Sequence, residues 1–237
     1  FGFMMALFLV LWFLTQLSWD FENRKKRSID FLVVSGLAGL TSAIMLLPTI
    51  YDLTTHGQST SVITRWTMED AWYFDFFAKN FVCAYDTLKY HSLPMIYVGL
   101  LPFLLMFVFF TLKSISVRVK ASYALLVFAL FISFYILPLN LLWQGMHAPN
   151  MFLHRYAWVF TTIVLLMAAE VLSRVKELDE KRILYPTGGL LVAFLLVIAF
   201  RKHYDFLKTS NYVLTLGFLF AYALVLVAMV RWKKQAK

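Results

Sequence analysis

The chain has 237 residues, of which 61% are hydrophobic and only 15% are charged, and its mean hydropathy is +0.73. An ordinary soluble protein has about 25% charged residues, so this composition excludes a water-soluble globule. The charges cluster between uncharged stretches of roughly 18 residues or more, about the length that an α-helix needs to cross a bilayer. The single cysteine excludes an intrachain disulfide and a cysteine-based zinc site.

Seven apolar runs lie between the charge clusters, and each predicts one transmembrane helix of an all-α, polytopic bundle. They cover residues 1–18, 31–50, 94–112, 121–142, 156–172, 183–200 and 212–230. The first run starts at Phe1 without a preceding methionine or a signal sequence. We therefore interpret residues 1–237 as a single transmembrane module, an internal fragment of a longer protein.

The basic residues predict which side of the membrane each connection faces. One alternating set of connections holds 15 of the 22 lysines and arginines, and the other set holds 7 over about twice the length. The basic set is 19–30, 113–120, 173–182 and 231–237, and the other set is 51–93, 143–155 and 201–211. Because cytoplasmic loops are enriched in basic residues, we expect the Phe1 end outside and the Lys237 end in the cytoplasm. This bias also explains the pI near 9.6 without a nucleic-acid partner.

The outer loop 51–93 is long for a connection in a compact bundle, and such length is typical of functional loops. Between residues 66 and 85 it is rich in aromatic residues, four of which recur at every fourth position. These four are Tyr73, Phe77, Phe81 and Tyr85. The spacing predicts an amphipathic helix that lies in the outer headgroup layer. The alternative is that the stripe packs on neighbouring spans as ordinary core, because periodicity does not show whether a face meets lipid or protein.

Ionisable groups are nearly absent from the predicted spans, which argues against an ion-coupled transporter or a channel. Asp30 and Glu170 lie near cytoplasmic ends, and Glu170 has Arg174 at i+4 as a partner. No phosphate-binding loop, nucleophile elbow or metal-binding motif occurs, so the sequence shows no nucleotide or metal site. Several outer acids could supply a general base or a metal ligand, but their spacing favours neither role. They are Asp52, Glu69, Asp70, Asp75 and Asp86.

The densest polar group lies in residues 143–158, between the fourth and fifth predicted spans. Arg155 comes where the fifth helix begins, and a guanidinium at that depth can hold a phosphate through two hydrogen bonds. His147 and His154 flank it and could carry protons or donate hydrogen bonds to a phosphate. The alternative is that Arg155 extends to the phosphates of bulk lipid and that its aromatic neighbours belong to the interfacial belt.

Four short motifs occur in order around the predicted spans. They are Leu47-Pro48-Thr49, Phe74-Asp75-Phe76-Phe77, the stretch from Leu93 to Leu101, and a segment with Trp143, Gly145, Pro149-Asn150 and His154-Arg155-Tyr156. In this order they resemble the YfhO family of bacterial membrane proteins, over most of residues 1–172. Met95 and His154 depart from the family pattern, which more often has Asn and an aromatic residue at these two positions.

The resemblance implies a GT-C glycosyltransferase of the bacterial plasma membrane. Such an enzyme transfers a sugar from a polyprenyl-phosphate carrier to a cell-envelope polymer, such as teichoic or lipoteichoic acid, on the outer face. The donor phosphate is then expected near Arg155, His154, His147, Asn150 and Tyr156, and the acceptor near Asp75, Asp86 and Lys89.

The resemblance also implies that the catalytic acid, with any divalent cation that it binds, precedes Phe1, because GT-C enzymes carry it in the first outer loop. Membrane lipid, the lipid-linked sugar and the envelope polymer are the expected partners, and no cofactor is predicted for the chain itself. Two other functions use the same outer surface without chemistry. One is a transporter or flippase of a lipid or lipid-linked sugar, and the other is a non-catalytic scaffold for envelope assembly.

Overall fold

A computed structural model describes residues 2–19, 23–57, 61–69, 71–87 and 91–235. Over these residues the chain is all-α and contains no strand. The helices are α1 (Gly2–Trp19), α2 (Arg24–His56), α3 (Asp75–Ala78), α4 (Leu100–Thr111), α5 (Val117–Tyr135), α6 (Leu137–Trp143), α7 (Ala157–Ser173), α8 (Glu180–Ala199) and α9 (Thr209–Gln235). The all-α fold predicted from the apolar runs is confirmed.

Each of the seven apolar runs contains at least one helix, although the helix bounds differ from those of the runs. By length and composition, α2, α5, α8 and α9 can each cross a membrane, and α1, α4 and α7 are shorter apolar helices. Helix α4 is central, since it packs on α7, α8 and α9, whereas α1 packs on α5. Helix α2 differs from the others because none of its most apolar stretch is buried against the described part of the chain. The arrangement agrees with a multi-pass bundle of about seven spans.

The fourth predicted span is two helices rather than one. Helix α5 ends and α6 begins around Ile136, because Pro138 has no N–H to continue the helical ladder. The long loop fills this gap. Thr67 forms an antiparallel bridge with Ile136, and the Leu137 N–H donates to the carbonyl of Trp66 at 2.9 Å. Irregular backbone within a membrane bundle needs such partners, since lipid supplies none.

The third predicted span is also only partly helical. Residues 94–99 are extended or irregular, and α4 begins at Leu100. Gly99 precedes the helix with φ of 89°, a conformation that residues with a Cβ rarely adopt. Residues 94–99 therefore form a non-helical stretch directly before α4.

The structure corrects the amphipathic helix predicted over residues 66–85. Only α3 is helical within the described part of this segment, and the rest forms turns and extended chain. The predicted stripe does not share one face, because Phe81 is buried whereas Tyr73 and Tyr85 are 82% and 61% exposed. Phe76 packs on aromatic rings of α4, α5 and α7. Part of the segment, with Phe76 and Phe81, therefore packs into the core as the alternative interpretation expected, whereas Tyr73 and Tyr85 do not.

We call the end of the bundle that carries residues 61–99 and 144–156 the loop end. The two segments meet there, as the Ser61 N–H donates to the Met146 carbonyl at 2.9 Å.

The connections that were predicted to be cytoplasmic meet at the opposite end of the bundle. Arg231 pairs with Glu180 there at 2.9 Å, and the Arg174 guanidinium donates to the Ser114 hydroxyl at 3.2 Å. The structure groups these connections as their charges predict, and the orientation across the membrane stays a prediction.

Candidate functional site

A cavity of about 600 Å³ lies at the loop end, between the irregular stretch before α4 and the start of α7. Its wall is mostly apolar and includes Met95, Phe152 and Trp158. A few polar groups interrupt this wall, among them His154 and Arg155. A mostly apolar cavity with a few polar groups is typical of small-molecule sites. We call it the loop-end cavity.

Arg155 brings a positive charge to the loop-end cavity. Its Nη2 donates long hydrogen bonds to the carbonyls of Asn150 and Met151, at 3.3 and 3.5 Å. Among the residues that the structure describes, no carboxylate pairs with this guanidinium. Met151 and Phe152, which shape the turn before it, have φ of 65° and 50°. Such left-handed conformations are uncommon outside glycine and cluster at ligand sites. The arrangement leaves Arg155 able to bind an anion.

A buried hydrogen-bond network holds the neighbouring His154. Asn140 Nδ2 lies 2.9 Å from His154 Nδ1 and 3.3 Å from the Tyr156 hydroxyl. The Tyr156 hydroxyl donates to the Ser133 carbonyl at 2.6 Å, and Gln144 Nε2 donates to Asn140 Oδ1 at 2.5 Å. The network connects the break between α5 and α6 to the cavity wall, so it fixes the position of the His154 ring.

Of the five donor-side candidates, only Arg155 and His154 line the loop-end cavity. Tyr156 is fully buried, and its ring stacks between Phe134 and Trp143, so its hydroxyl serves the network rather than a ligand. His147 and Asn150 are exposed, and neither lines the cavity. Asn150 contributes its backbone carbonyl to Arg155. The sequence therefore grouped side chains that the fold separates.

The acceptor-side candidate Asp75 is buried in α3, with 3% exposure. Its Oδ2 accepts the Trp72 N–H at 2.6 Å, and its Oδ1 accepts the Tyr204 hydroxyl at 3.0 Å. Burial raises the pKa of Asp75 to about 6, although these two hydrogen bonds oppose the shift. Asp75 does not line the loop-end cavity, but it and His154 line a separate cavity of about 20 Å³.

The second acceptor-side candidate, Asp86, forms a buried ion pair with Lys79. Lys79 Nζ lies 2.6 Å from Asp86 Oδ1, and the two side chains are 1% and 10% exposed. Asp86 Oδ2 accepts the Leu93 N–H at 2.8 Å, and Lys79 Nζ lies 3.6 Å from Met95 Sδ. The pair thus supports the irregular stretch that forms one wall of the loop-end cavity. The third candidate, Lys89, lies outside the described residues.

Sequence reasoning missed Asn140, the centre of the network. A signal was present, because Asn140 is a polar residue within the otherwise apolar segment Leu137–Trp143. An amide in such a helix finds no partner in lipid and tends to bond to another part of the protein. The support from Lys79 had no comparable signal, since its contacts depend on how the long loop folds.

Among the described residues, no three or more His, Cys, Asp or Glu side chains form a cluster that could hold a metal ion. The polar side-chain groups at the loop-end cavity are instead the guanidinium, the imidazole, the Trp158 indole N–H and hydroxyl groups. This donor set suits an anion or a polar ligand oxygen.

Comparison with known families gives one result. The family described as "Bacterial membrane protein YfhO" matches residues 1–237, the whole chain. No curated protein and no solved structure is significantly similar to it. The match extends the resemblance seen in the four motifs beyond residue 172. The chain therefore belongs to the YfhO family of bacterial membrane proteins.

Proposed function

We propose that this chain is part of an integral membrane glycosyltransferase that uses a polyprenyl-phosphate-linked sugar at the outer face of the bacterial plasma membrane. The acceptor in this proposal is a cell-envelope polymer of the teichoic or lipoteichoic acid type. One observation carries it: Arg155, without a carboxylate partner among the described residues, lines a mostly apolar cavity of about 600 Å³. A polyprenyl phosphate combines an anionic group with an apolar chain, and the cavity offers a complement to both.

In this reaction the sugar leaves a phosphate, on which negative charge develops. The Arg155 guanidinium stabilises that charge through hydrogen bonds that are already in place before the bond breaks. His154 lies next to it as a neutral group, because burial lowers its pKa to about 4. Neither Asp75 nor Asp86 lines the cavity, so we assign neither the role of general base.

Exchange of Arg155 tests the proposal. In the full-length protein in membranes, Arg155→Ala should lower sugar transfer from a polyprenyl-phosphate donor by about tenfold to a hundredfold, since a hydrogen bond to a charged group contributes about 1.5–3 kcal/mol. Arg155→Lys keeps the charge but not the two-pronged geometry, so its loss should be smaller. Arg201→Ala is the matched control, because Arg201 is exposed and does not line the cavity.

Unchanged sugar transfer in Arg155→Ala would contradict the proposal and would mean that Arg155 contacts the phosphates of bulk lipid instead. The same variants also separate the enzyme from a transporter. Proteoliposomes with labelled lipid-linked sugar and no acceptor report movement across the bilayer alone. If Arg155→Ala abolishes movement of the lipid-linked sugar, and neither the unmodified protein nor any variant transfers the sugar to an acceptor, the loop-end cavity belongs to a transporter.

A further inference from the structure

The proton positions in the network around His154 follow from groups that can act in only one way. The Ser133 carbonyl only accepts, so the Tyr156 hydroxyl must donate its single proton to it, at 2.6 Å. The Tyr156 oxygen can then only accept from Asn140, and the Asn140 atom at 3.3 Å must be the amide nitrogen. The orientation of the Asn140 amide is thereby fixed.

A second route gives the same orientation. Gln144 Nε2 lies 2.8 Å from the Leu153 carbonyl, which only accepts, so this atom of Gln144 is the nitrogen. The same nitrogen lies 2.5 Å from the other end of the Asn140 amide, which must be the oxygen Oδ1. Both routes direct Asn140 Nδ2 towards Tyr156 and His154.

Asn140 Nδ2 therefore donates its second proton to His154 Nδ1, at 2.9 Å. A ring nitrogen that accepts a hydrogen bond carries no proton, so a neutral His154 holds its proton on Nε2. Among the described residues no group accepts this Nε2–H. His154 lines both the loop-end cavity, beside Arg155, and the separate cavity of about 20 Å³, and of these two only the loop-end cavity is large enough for a bound molecule that would accept this N–H.

We propose that His154 is locked as the Nε2–H tautomer by Asn140 and donates this hydrogen bond to a phosphate oxygen that the Arg155 guanidinium also binds. The proposal rests on the proposed function for its ligand, the phosphate of a polyprenyl carrier. It assigns Asn140 as a positioning residue that acts through His154. It also excludes His154 as a proton carrier, because Nδ1 faces a donor and cannot gain a proton without breaking the network.

The surroundings of His154 favour the neutral ring. Among the described residues, the charged or titratable groups near it include Arg155, Asp75, the Lys79–Asp86 pair and the tyrosines Tyr97, Tyr135 and Tyr156. Lys79 opposes a positive charge on the ring and Asp86 favours it, while burial opposes it most. A neutral ring donates its Nε2–H beside the Arg155 guanidinium, so both groups can donate to one phosphate oxygen.

Nitrogen-15 NMR of the histidine-labelled full-length protein in detergent tests the tautomer directly. The chain has 5 histidines, and the spectrum of His154→Phe identifies the signals of His154. We expect an unprotonated Nδ1 and a protonated Nε2 from about pH 5.5 to 8. Asn140→Asp replaces the donor with a carboxylate that only accepts, so it should move the proton to Nδ1. Asn211→Asp is the control, because it buries a carboxylate at a buried asparagine that bonds the Val82 carbonyl and the Lys208 N–H.

Binding of geranylgeranyl phosphate tests the ligand. The phosphate should shift the Nε2–H signal, and geranylgeraniol, which lacks the phosphate, should not. We expect His154→Phe and Asn140→Asp to weaken phosphate binding by about tenfold, as loss of one hydrogen bond to a charged group predicts. His154→Gln, which retains an N–H donor, should recover part of the loss. Inorganic phosphate as a second probe separates recognition of the headgroup from that of the chain.

A protonated Nδ1 in the unmodified protein would overturn the proposal, whatever the ligand. The proposal would also fail if geranylgeranyl phosphate bound without shifting the Nε2–H signal and bound to His154→Phe with unchanged affinity. If Arg155→Ala then lost phosphate binding, the proposed function would remain intact. If the unmodified protein bound neither phosphate probe, the donor site and this proposal would both be wrong. The first measurement needs no variant at Asn140, so a folding defect of Asn140→Asp does not prevent the test.

Discussion

Removal of the Lys79 charge should destabilise the protein because it leaves Asp86 buried without a cation. Lys79 Nζ and Asp86 Oδ1 are 2.6 Å apart, and the side chains are 1% and 10% exposed. Lys79→Met keeps most of the apolar stem and removes only the charged end. The variant therefore removes the ion pair with Asp86 and the contact of the ammonium with the Phe206 ring, and it keeps most of the packing of the stem.

The expected magnitude follows from what remains around Asp86. Loss of one partner from a buried ion pair costs about 3–5 kcal/mol, because the remaining charge is neither hydrated nor paired. Asp86 keeps the hydrogen bond from the Leu93 N–H at 2.8 Å, which compensates part of that charge. We therefore expect Lys79→Met to lower the free energy of unfolding by about 3 kcal/mol, near the lower limit of the range.

The assay is unfolding of the purified protein in mild detergent by increasing SDS, followed by tryptophan fluorescence. Arg65→Met is the matched control, because Arg65 and Glu69 form an ion pair of almost the same length, 2.7 Å, with side chains 45% and 61% exposed. Exposed pairs contribute about 0–1 kcal/mol. Adding Asp86→Asn to Lys79→Met should recover stability, since it removes the unpaired charge.

The reasoning is refuted if Lys79→Met costs no more than Arg65→Met. It is also refuted if Asp86→Asn lowers the stability of the Lys79→Met variant by as much as it lowers that of the unmodified protein. In that case the Lys79 side chain would contribute by packing alone.

Three further predictions use similar measurements. Tyr156→Phe leaves the Ser133 carbonyl without its donor and should lower the free energy of unfolding by about 1–3 kcal/mol; a change within error would mean that another donor replaces the hydroxyl. Because the folded-state pKa of Asp75 is raised from 3.8 to about 6, stability should fall as the pH rises from about 4 to 6 and level off above, as the unfolded chain ionises first. Asp75→Asn should remove this slope in unfolding curves at several pH values, and an unaltered slope would assign it to another group. The single cysteine of the chain, Cys83, is exposed at the loop end. It should react with a membrane-impermeant maleimide in intact cells. Reaction only after lysis would mean that the loop end faces the cytoplasm and that the predicted topology is wrong.

Much of the fold could be predicted from the sequence, because membrane helices impose their own length and polarity. A backbone in lipid must satisfy its hydrogen bonds internally, so each long apolar run predicts a helix. The break between α5 and α6 was not predicted, although Pro138 was visible within the run 121–142. A proline near a helix end fits either a terminus or a break, and contacts of Thr67 decided between them.

The long loop shows where periodicity fails. A spacing of four residues fits one helical face, yet Phe81 is buried while Tyr73 and Tyr85 are exposed. The segment instead packs Phe76 among rings from three helices. Burial of aromatic surface between helices outweighs the local preference for a helix, and that burial depends on residues distant in sequence.

The candidate site was predicted in part. Arg155 and His154 were recognised as a basic group at a helix start, and both line the loop-end cavity. Asp75 and Asp86 were assigned to the acceptor side only by the resemblance, and in the structure neither of them lines the loop-end cavity. The sequence offered no means to see this, because the contacts that hold each acid form only in the folded chain, as those of Tyr204 with Asp75 and of Lys79 with Asp86 do.

The sequence by itself determined that this chain is an all-α membrane protein of the YfhO family, since composition, apolar runs and short motifs are properties of the chain in order. Only the tertiary structure decided which polar groups act together. It placed Asn140 within hydrogen-bond distance of His154, 14 residues later, and it brought Lys79 and Asp86 together as a buried ion pair. The physical reason is that hydrogen bonds and ion pairs need contact within about 3 Å. Such contacts form only when the irregular segments around these residues fold back on themselves.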